Sequence, residues 1–224
     1  RQALAHLLPT SEIVNNVYIN RAVKSITPIN PSNSCVSGIG VDSYDYNETT
    51  ANTLILACGL TKSDFAFTIL VNDDNVERKK TADIISKKLN ANGLNTKVEV
   101  VPFETYAQRI ADGEYGAFIG GVELSGNMDL TSLLMSSSTP ENNGANYFGY
   151  ADANMDRLIG IASSSADIDS YKTAINELNK YCSSQLPLLG ICFRSEALVT
   201  NNVTGLKTPS DGNVYGNMYQ WTMK

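Results

Sequence analysis

The side chains that usually carry chemistry are thinly spread in this sequence, and those that cluster suit binding better than bond-breaking. A single histidine, His6, stands beside Leu7 and Leu8. It reads as a partly buried helix residue, and without a partnered nucleophile serine- and cysteine-type catalysis lose their usual base. No GxGxxG, GK[ST] phosphate loop, GxSxG or HExxH occurs. Gly38-Ile39-Gly40 and Gly120-Gly121 are bare glycine pairs that fit turns or close packing better than a cofactor cradle. The 23 Asp and Glu residues offer many acid–base pairs, yet nothing in their spacing selects two. Four groups of residues are different in kind: Asn72-Asp73-Asp74, Pro102-Phe103-Glu104, Val122-Glu123-Leu124-Ser125 and Arg194-Ser195-Glu196. Together they hold an aromatic platform, amides, hydroxyls, carboxylates and a guanidinium. That mixture suits recognition of a polar organic ligand, with no enzyme activity, cofactor or metal.

What would bring these groups together is a sheet. Residues 66–71 form a short apolar run suited to a strand buried on both faces. A helix over 76–91 follows, with Ala82, Ile85 and Leu89 at helical spacing and Asn92-Gly93 as its stop. Val98 and Val100 alternate in a second strand over 96–101. Phe103, Tyr106, Ala107 and Ile110 share one side of a helix over 103–112, and 115–122 reads as a third strand. This β-α-β-α-β order implies parallel strands joined by right-handed crossovers. In such open sheets ligands sit beyond the carboxyl ends of the strands, where the four groups fall. Asp73 and Asp74 are also candidates to cap the helix that follows them.

The remainder frames this unit. Two short helices are expected over 1–8 and 11–17, broken by Pro9, then a long Ser/Asn/Pro/Gly-rich loop over 25–50 and a helix from Thr50 to Cys58. Beyond a polar stretch at 136–146 come two helices marked by Met155, Leu158, Ile159 and Ala162, and by Tyr171, Ala174, Leu178 and Tyr181. A fourth strand over 186–193 and a turn-rich tail with a final strand or hairpin over 203–224 complete the order. The expected class is α/β, a single lobe over 1–224 with an open mixed sheet flanked by helices.

Composition excludes other classes. The 224 residues carry a net charge of −6, with 42% hydrophobic and 18% charged residues, as in ordinary globular proteins. The one tight basic cluster, Arg78-Lys79-Lys80, reads as a solvated helix face rather than a nucleic-acid surface. No run approaches the ~20 apolar residues a membrane helix needs. The start at Arg1, inside a helical run, reads as a cut within a longer protein, with any targeting segment upstream. Cys35, Cys58, Cys182 and Cys192 show no CxxC or Cys/His spacing, so zinc is not expected. Cys58 and Cys182 fall on apolar helix faces and Cys192 in an apolar strand, so free thiols packed as small hydrophobes are expected.

In order and spacing the chain resembles the C-terminal half of family 5 extracellular solute-binding proteins, the oligopeptide-, dipeptide- and nickel-binding receptors of ABC importers. Arg1-Gln2-Ala3-Leu4-Ala5 resembles the family's "RQAL" helix, and 72–82 its Asn, polar turn and helix entering with Arg and Ala. Leu89 to Val98 is similar to its "L…G…V" passage. Tyr106, Arg109, Gly113-Glu114-Tyr115 and Gly120-Gly121 resemble its "Y…R…GDYD…GG" run. Tyr150, Asp156, Leu158-Ile159 and Ala162 resemble "Y…D.LI..A", and Leu186-Pro187-Leu188 the "P.iPl" strand. The resemblance implies a type II periplasmic-binding-protein-like lobe, closing by a hinge on a peptide or small polar solute held against an N-terminal lobe absent from this chain. It further implies delivery to ABC importer permease subunits, at the extracellular face of the membrane or in the periplasm, with a lipoprotein anchor upstream as the only membrane contact. The alternative is a surface sensory or adhesive protein that reuses the lobe. Ligand contacts are implied at Asn72, Phe103, Val122, Glu123 and Ser125, Phe103 resembling an aromatic that lines the family's pocket. In one respect the chain departs from the family: Val122 stands where peptide-binding members have an aromatic residue, and Ser125 where they have the aspartate that takes the peptide's amino terminus. The following "DP" is absent. A neutral hydroxyl cannot repeat that charge-assisted contact.

Overall fold

The computed structural model describes residues 1–195, 198–207 and 215–223. In chain order the elements are α1 (Gln2–Ala5), α2 (Thr10–Asn16), β1 (Ala22–Lys24), α3 (Glu48–Ala57), β2 (Ala66–Asn72), α4 (Val76–Ala91), β3 (Asn95–Val101), α5 (Phe103–Ala111) and β4 (Ala117–Phe118). After them come α6 (Thr131–Leu134), α7 (Ala153–Ser163), α8 (Ile168–Gln185), β5 (Cys192–Arg194), β6 (Val203–Thr204) and β7 (Thr222–Met223).

The parallel unit forms as its pattern requires. β2 is central in the order β3-β2-β4, parallel to both neighbours. Its alternation feeds two layers: Ile69 and Val71 enter a core with Leu7, Leu8, Ile13, Ala82, Ile85 and Leu89, while Leu70 packs with Tyr106 and Ile110 of α5 on the other face. Helix α4 starts on Asn75, whose side chain accepts from the Arg78 amide, so the cap is neither Asp73 nor Asp74. It ends at Asn92-Gly93, where Gly93 takes φ +88° and the Leu94 amide returns to the Leu89 carbonyl. On α5 only Tyr106 and Ile110 are buried, and Ala107 faces out.

Two strands are shorter than their apolar runs. Residues 115–122 pair only through Ala117 and Phe118. Gly116 is pressed on β2, where a Cβ would lie 2.9 Å from that of Phe67, and beyond Ile119 the Gly120-Gly121 pair leads into coil. Within 186–193 only the last two residues are extended strand, continued by Arg194. Leu186, left-handed at φ 48°, closes α8, and β5 pairs antiparallel with β1 alone. The fourth strand therefore lies outside the parallel sheet.

A second core belongs to the helices. Leu133, Leu134, Met155, Leu158, Ile159, Ile175, Leu178 and Cys182 of α6, α7 and α8 enclose Ile29 from the long loop. Asp152 and Asp167 cap the starts of α7 and α8, each accepting from two backbone amides. The 25–47 connection is fixed by side chains. Buried Thr27 donates to Asn179 at 2.7 Å, the Ser37 amide and hydroxyl reach Asn176, and Tyr44 donates to the Ser183 carbonyl. It begins at residue 25, as its composition suggests, directly after the strand Ala22–Lys24, and ends slightly early because α3 starts at Glu48. In the tail β6 and β7 pair antiparallel; the expected hairpin's residues 208–214 and 224 lie outside the described residues.

All four cysteines are free, but their surroundings differ from the expectation. Cys182 is buried, with its thiol pushed up to about 12 by burial. Cys192 is half-buried, and Cys58, at the end of α3, is exposed rather than on an apolar face. A thiol reagent should therefore modify Cys58 rapidly in the native protein and Cys182 only on unfolding, because the thiolate is the reactive form. Denatured, unreduced protein should titrate four thiols; two would reveal a disulfide.

Candidate functional site

Because β2, β3 and β4 are parallel, the residues that follow them emerge on one edge of the sheet. Asn72, the last residue of β2, is 3% exposed. Its side-chain oxygen accepts from the Arg78 guanidinium at 2.9 Å, and its amide nitrogen donates to the Asp74 carboxylate. Arg78 lies in the first turn of α4, half-buried, with its guanidinium 5.9 Å from the centre of the Tyr106 ring. Beside it runs the chain after β4: a Cβ on Gly121 would sit 3.2 Å from Nη2 of Arg78. Tyr106 donates to the Ile119 carbonyl at 2.7 Å, tying α5 to the same segment. Burial pushes the Tyr106 phenol above its ordinary range, and the Arg78 charge pulls it partly back. The phenol therefore stays protonated, as that hydrogen bond needs.

Of the expected residues, Asn72 and Phe103 are brought together through Arg78 and Tyr106. The Phe103 ring lies 6.3 Å from that of Tyr106, and Phe103 is itself 53% exposed. Val122, equally exposed, and Glu123 follow directly on Gly121. Ser125 is folded into a turn of its own: its hydroxyl donates to the Asn127 side chain at 2.6 Å, and its carbonyl accepts from the Met128 amide. The Arg194-Ser195-Glu196 group does not join this edge by strand pairing, since β5 pairs only with β1, and Glu196 lies outside the described residues.

The guanidinium at this edge is thus Arg78 rather than Arg194. Reading 78–80 as a solvated face holds for Lys80, which is exposed, but not for Arg78. The available signal was the N-cap at Asn75. It places residue 78 in the first turn of α4, next to the end of the strand that precedes it.

His6 serves locally, its Nδ1 3.0 Å from the Asp45 carbonyl oxygen. Among the described residues no group of three or more His, Cys, Asp or Glu side chains stands where it could hold a metal ion. Two grooves lie elsewhere. One of about 370 Å³ runs between Asp42, Arg157, Lys180 and Tyr181, and one of about 220 Å³ between Glu12, Asp45, Tyr46 and Lys88. Both are open to solvent, and neither includes a strand-end residue. No helix among the described residues is long and apolar enough to cross a membrane.

Residues 1–144 match the family model for bacterial extracellular solute-binding proteins, family 5 (middle region). The oligopeptide-binding protein AppA of Bacillus subtilis is 24% identical over 99% of this chain and 43% of its own length. The structure of AppA in complex with a nonapeptide superposes with a TM-score of 0.77 at 21% identity, covering all of this chain and 47% of that one. HbpA2 from Haemophilus parasuis gives a TM-score of 0.85 at 20% identity, over 100% of this chain and 44% of that one. NikZ from Campylobacter jejuni, in complex with Ni(L-His), gives 0.77 at 19% identity, over 99% and 48%. The chain spans less than half the length of each of these proteins. The structural likenesses establish the fold, a lobe of the type II periplasmic-binding-protein kind. The family match, across well over half of the sequence, settles its membership: this chain belongs to the bacterial extracellular solute-binding proteins of family 5.

Proposed function

We propose that this chain is one lobe of the extracytoplasmic substrate-binding component of a peptide-type ABC importer. In this reading it forms one wall of a cleft that captures a peptide or small polar solute and hands it to membrane permease subunits. The observation that carries it is the strand-end edge, where Phe103 and Val122 stand exposed beside an organised Asn72–Arg78 pair. Such a surface offers apolar area and directed donors, which suit the binding of a polar organic ligand. Asn72 acts through the guanidinium it holds, while Phe103, Val122 and Glu123 face the ligand, with Ser125 in a neutral role. A second lobe would supply the other wall of the cleft, and ligand held between the two would stabilise the closed state. The likeness to SapA of Haemophilus influenzae, a peptide transport periplasmic protein 25% identical over 96% of this chain and 39% of its own length, favours transport over a sensory or adhesive role. Native mass spectrometry of the full-length protein from its host tests the reading: a co-purified peptide or small solute is expected, and a protein that carries none and binds no peptide in calorimetry would refute it.

The neutral role of Ser125 has its own test. In the full-length receptor Ser125→Asp should create a preference for peptides with free amino termini over acetylated ones. A charge-assisted hydrogen bond contributes roughly 1.5–3 kcal/mol, so the ratio should be about tenfold or more. Strong amine dependence already in the unmodified receptor, read by titration calorimetry, would mean that another acid grips the ammonium.

A further inference from the structure

We propose that Asn47 is the acceptor of an N-linked glycan. The inference goes beyond the receptor reading: it draws on the extracytoplasmic setting of that reading and on nothing about the ligand. An asparagine amide can accept a glycan where the sequence runs Asn-x-Ser/Thr without Pro in the middle, on an accessible loop of an exported protein. Three such spacings occur: Asn30-Pro31-Ser32, Asn47-Glu48-Thr49 and Asn202-Val203-Thr204. Pro31 excludes the first, and the structure separates the other two.

Residues 45–49 are all exposed, and the chain from 41 to 47 belongs to no helix or strand. The Asn47 backbone is extended, at φ −152° and ψ 100°. Its side-chain oxygen caps α3 by accepting from the Thr50 amide at 2.9 Å, while its amide nitrogen has no partner among the described residues. A sugar on that nitrogen leaves the oxygen free to accept, so the helix start survives the modification. Thr49 is exposed in the first turn of α3, where helices fray and a transferase can take hold of the triplet. Asn202 differs at each point. It is left-handed, at φ 57°. Val203 and Thr204 form β6, paired with β7, and the Thr204 hydroxyl lies 2.7 Å from that of Thr222. The hydroxyl this triplet contributes is therefore already engaged. Charge adds a further contrast: two residues before Asn47 stands Asp45, a carboxylate for a cationic enzyme surface to grip, where Asn202 has the neutral Thr200. In the transfer the Asn47 amide nitrogen bonds to the anomeric carbon of a sugar carried on a lipid diphosphate. The anomeric C–O bond breaks, the diphosphate leaves with the electron pair, and the amide loses one proton.

Peptide mapping of the full-length protein purified from its host tests this, with fragmentation that keeps side-chain adducts in place. A sugar mass is expected on Asn47, and none on Asn30 or Asn202. Two variants expressed in the same host should lose it. Thr49→Ala removes the hydroxyl of the triplet and leaves the Asn47 cap untouched. Asn47→Asp keeps a capping oxygen and removes the acceptor nitrogen, so both should melt as the unmodified chain does once its glycan is trimmed. Should Thr49→Ala fail to fold, Asn47→Asp carries the test alone. An unmodified Asn47 overturns the assignment, as does a sugar mass that survives Thr49→Ala. A glycan on Asn202 in place of Asn47 overturns the structural selection between the two. None of these outcomes bears on ligand capture, so the receptor reading stands or falls by its own experiment.

Discussion

Leu70→Ala should destabilise the protein by about 2–5 kcal/mol, the range for deleting a fully buried leucine side chain and leaving a cavity. For a chain of this size that is a fall of roughly 10 °C in melting temperature. Leu70 is 1% exposed, in the middle of the central strand, and is the sheet residue on which Tyr106 and Ile110 of α5 pack. Its removal leaves a void between the sheet and the helix that carries Phe103. Ligand binding should weaken with stability, because Tyr106 both backs Arg78 and ties down the chain before Gly120. Val100→Ala is the control: Val100 is a large apolar residue of the same sheet but about half exposed, so it should cost well under ~1 kcal/mol. Similar urea midpoints for the two variants would show that the α5 layer is not a packed core.

The other large effect is expected at a glycine. In Gly190→Ala the new Cβ would meet only backbone: the Ser25 carbonyl oxygen at 2.5 Å and the Ile26 carbonyl carbon and oxygen at 2.7 and 2.8 Å. These atoms belong to a close antiparallel approach that continues the β1–β5 pair. Within it the Gly190 amide donates to the Ile26 carbonyl and the Ser25 amide to the Ile191 carbonyl. A methyl group forces the two segments apart and breaks those bonds, and the cost should be roughly 2–3 kcal/mol. Gly160→Ala, in α7, is the opposite case. Nothing lies within 4 Å of its Cβ position, so alanine's helix propensity should stabilise by about 0.5–1 kcal/mol. Opposite signs for one substitution at two glycines separate steric contact from backbone entropy. If both variants destabilise alike in urea titrations, the close approach at Gly190 is wrong.

Much of the parallel unit was legible from local chemistry. Ala82, Ile85 and Leu89 at helical spacing, with Asn92-Gly93 behind them, determine α4 and its end, because helix faces and glycine caps are properties of neighbouring residues. The alternation of Ile69, Leu70 and Val71 determines a strand covered on both faces, and the β-α-β-α-β order then determines which strand ends share an edge. The candidate positions 72, 103 and 122–125 follow from that order alone.

What local chemistry could not decide was pairing and charge environment. Residues 115–122 and 186–193 are both apolar enough for full strands, yet how much of each is extended depends on distant chain: Phe67 pressed against Gly116 in one case, residues 25–26 against Gly190 in the other. Cys58 and Cys182 look alike in sequence, since both lie on helices among apolar neighbours. Only packing leaves one in solvent and encloses the other beside Met155. Arg78 is the sharpest case. Sequence places it in a basic run after acidic residues, which describes a solvated helix face. Its partial burial and its hydrogen bond arise from Asn72, Tyr106 and Gly121, three residues from separate segments that meet only once the sheet is formed.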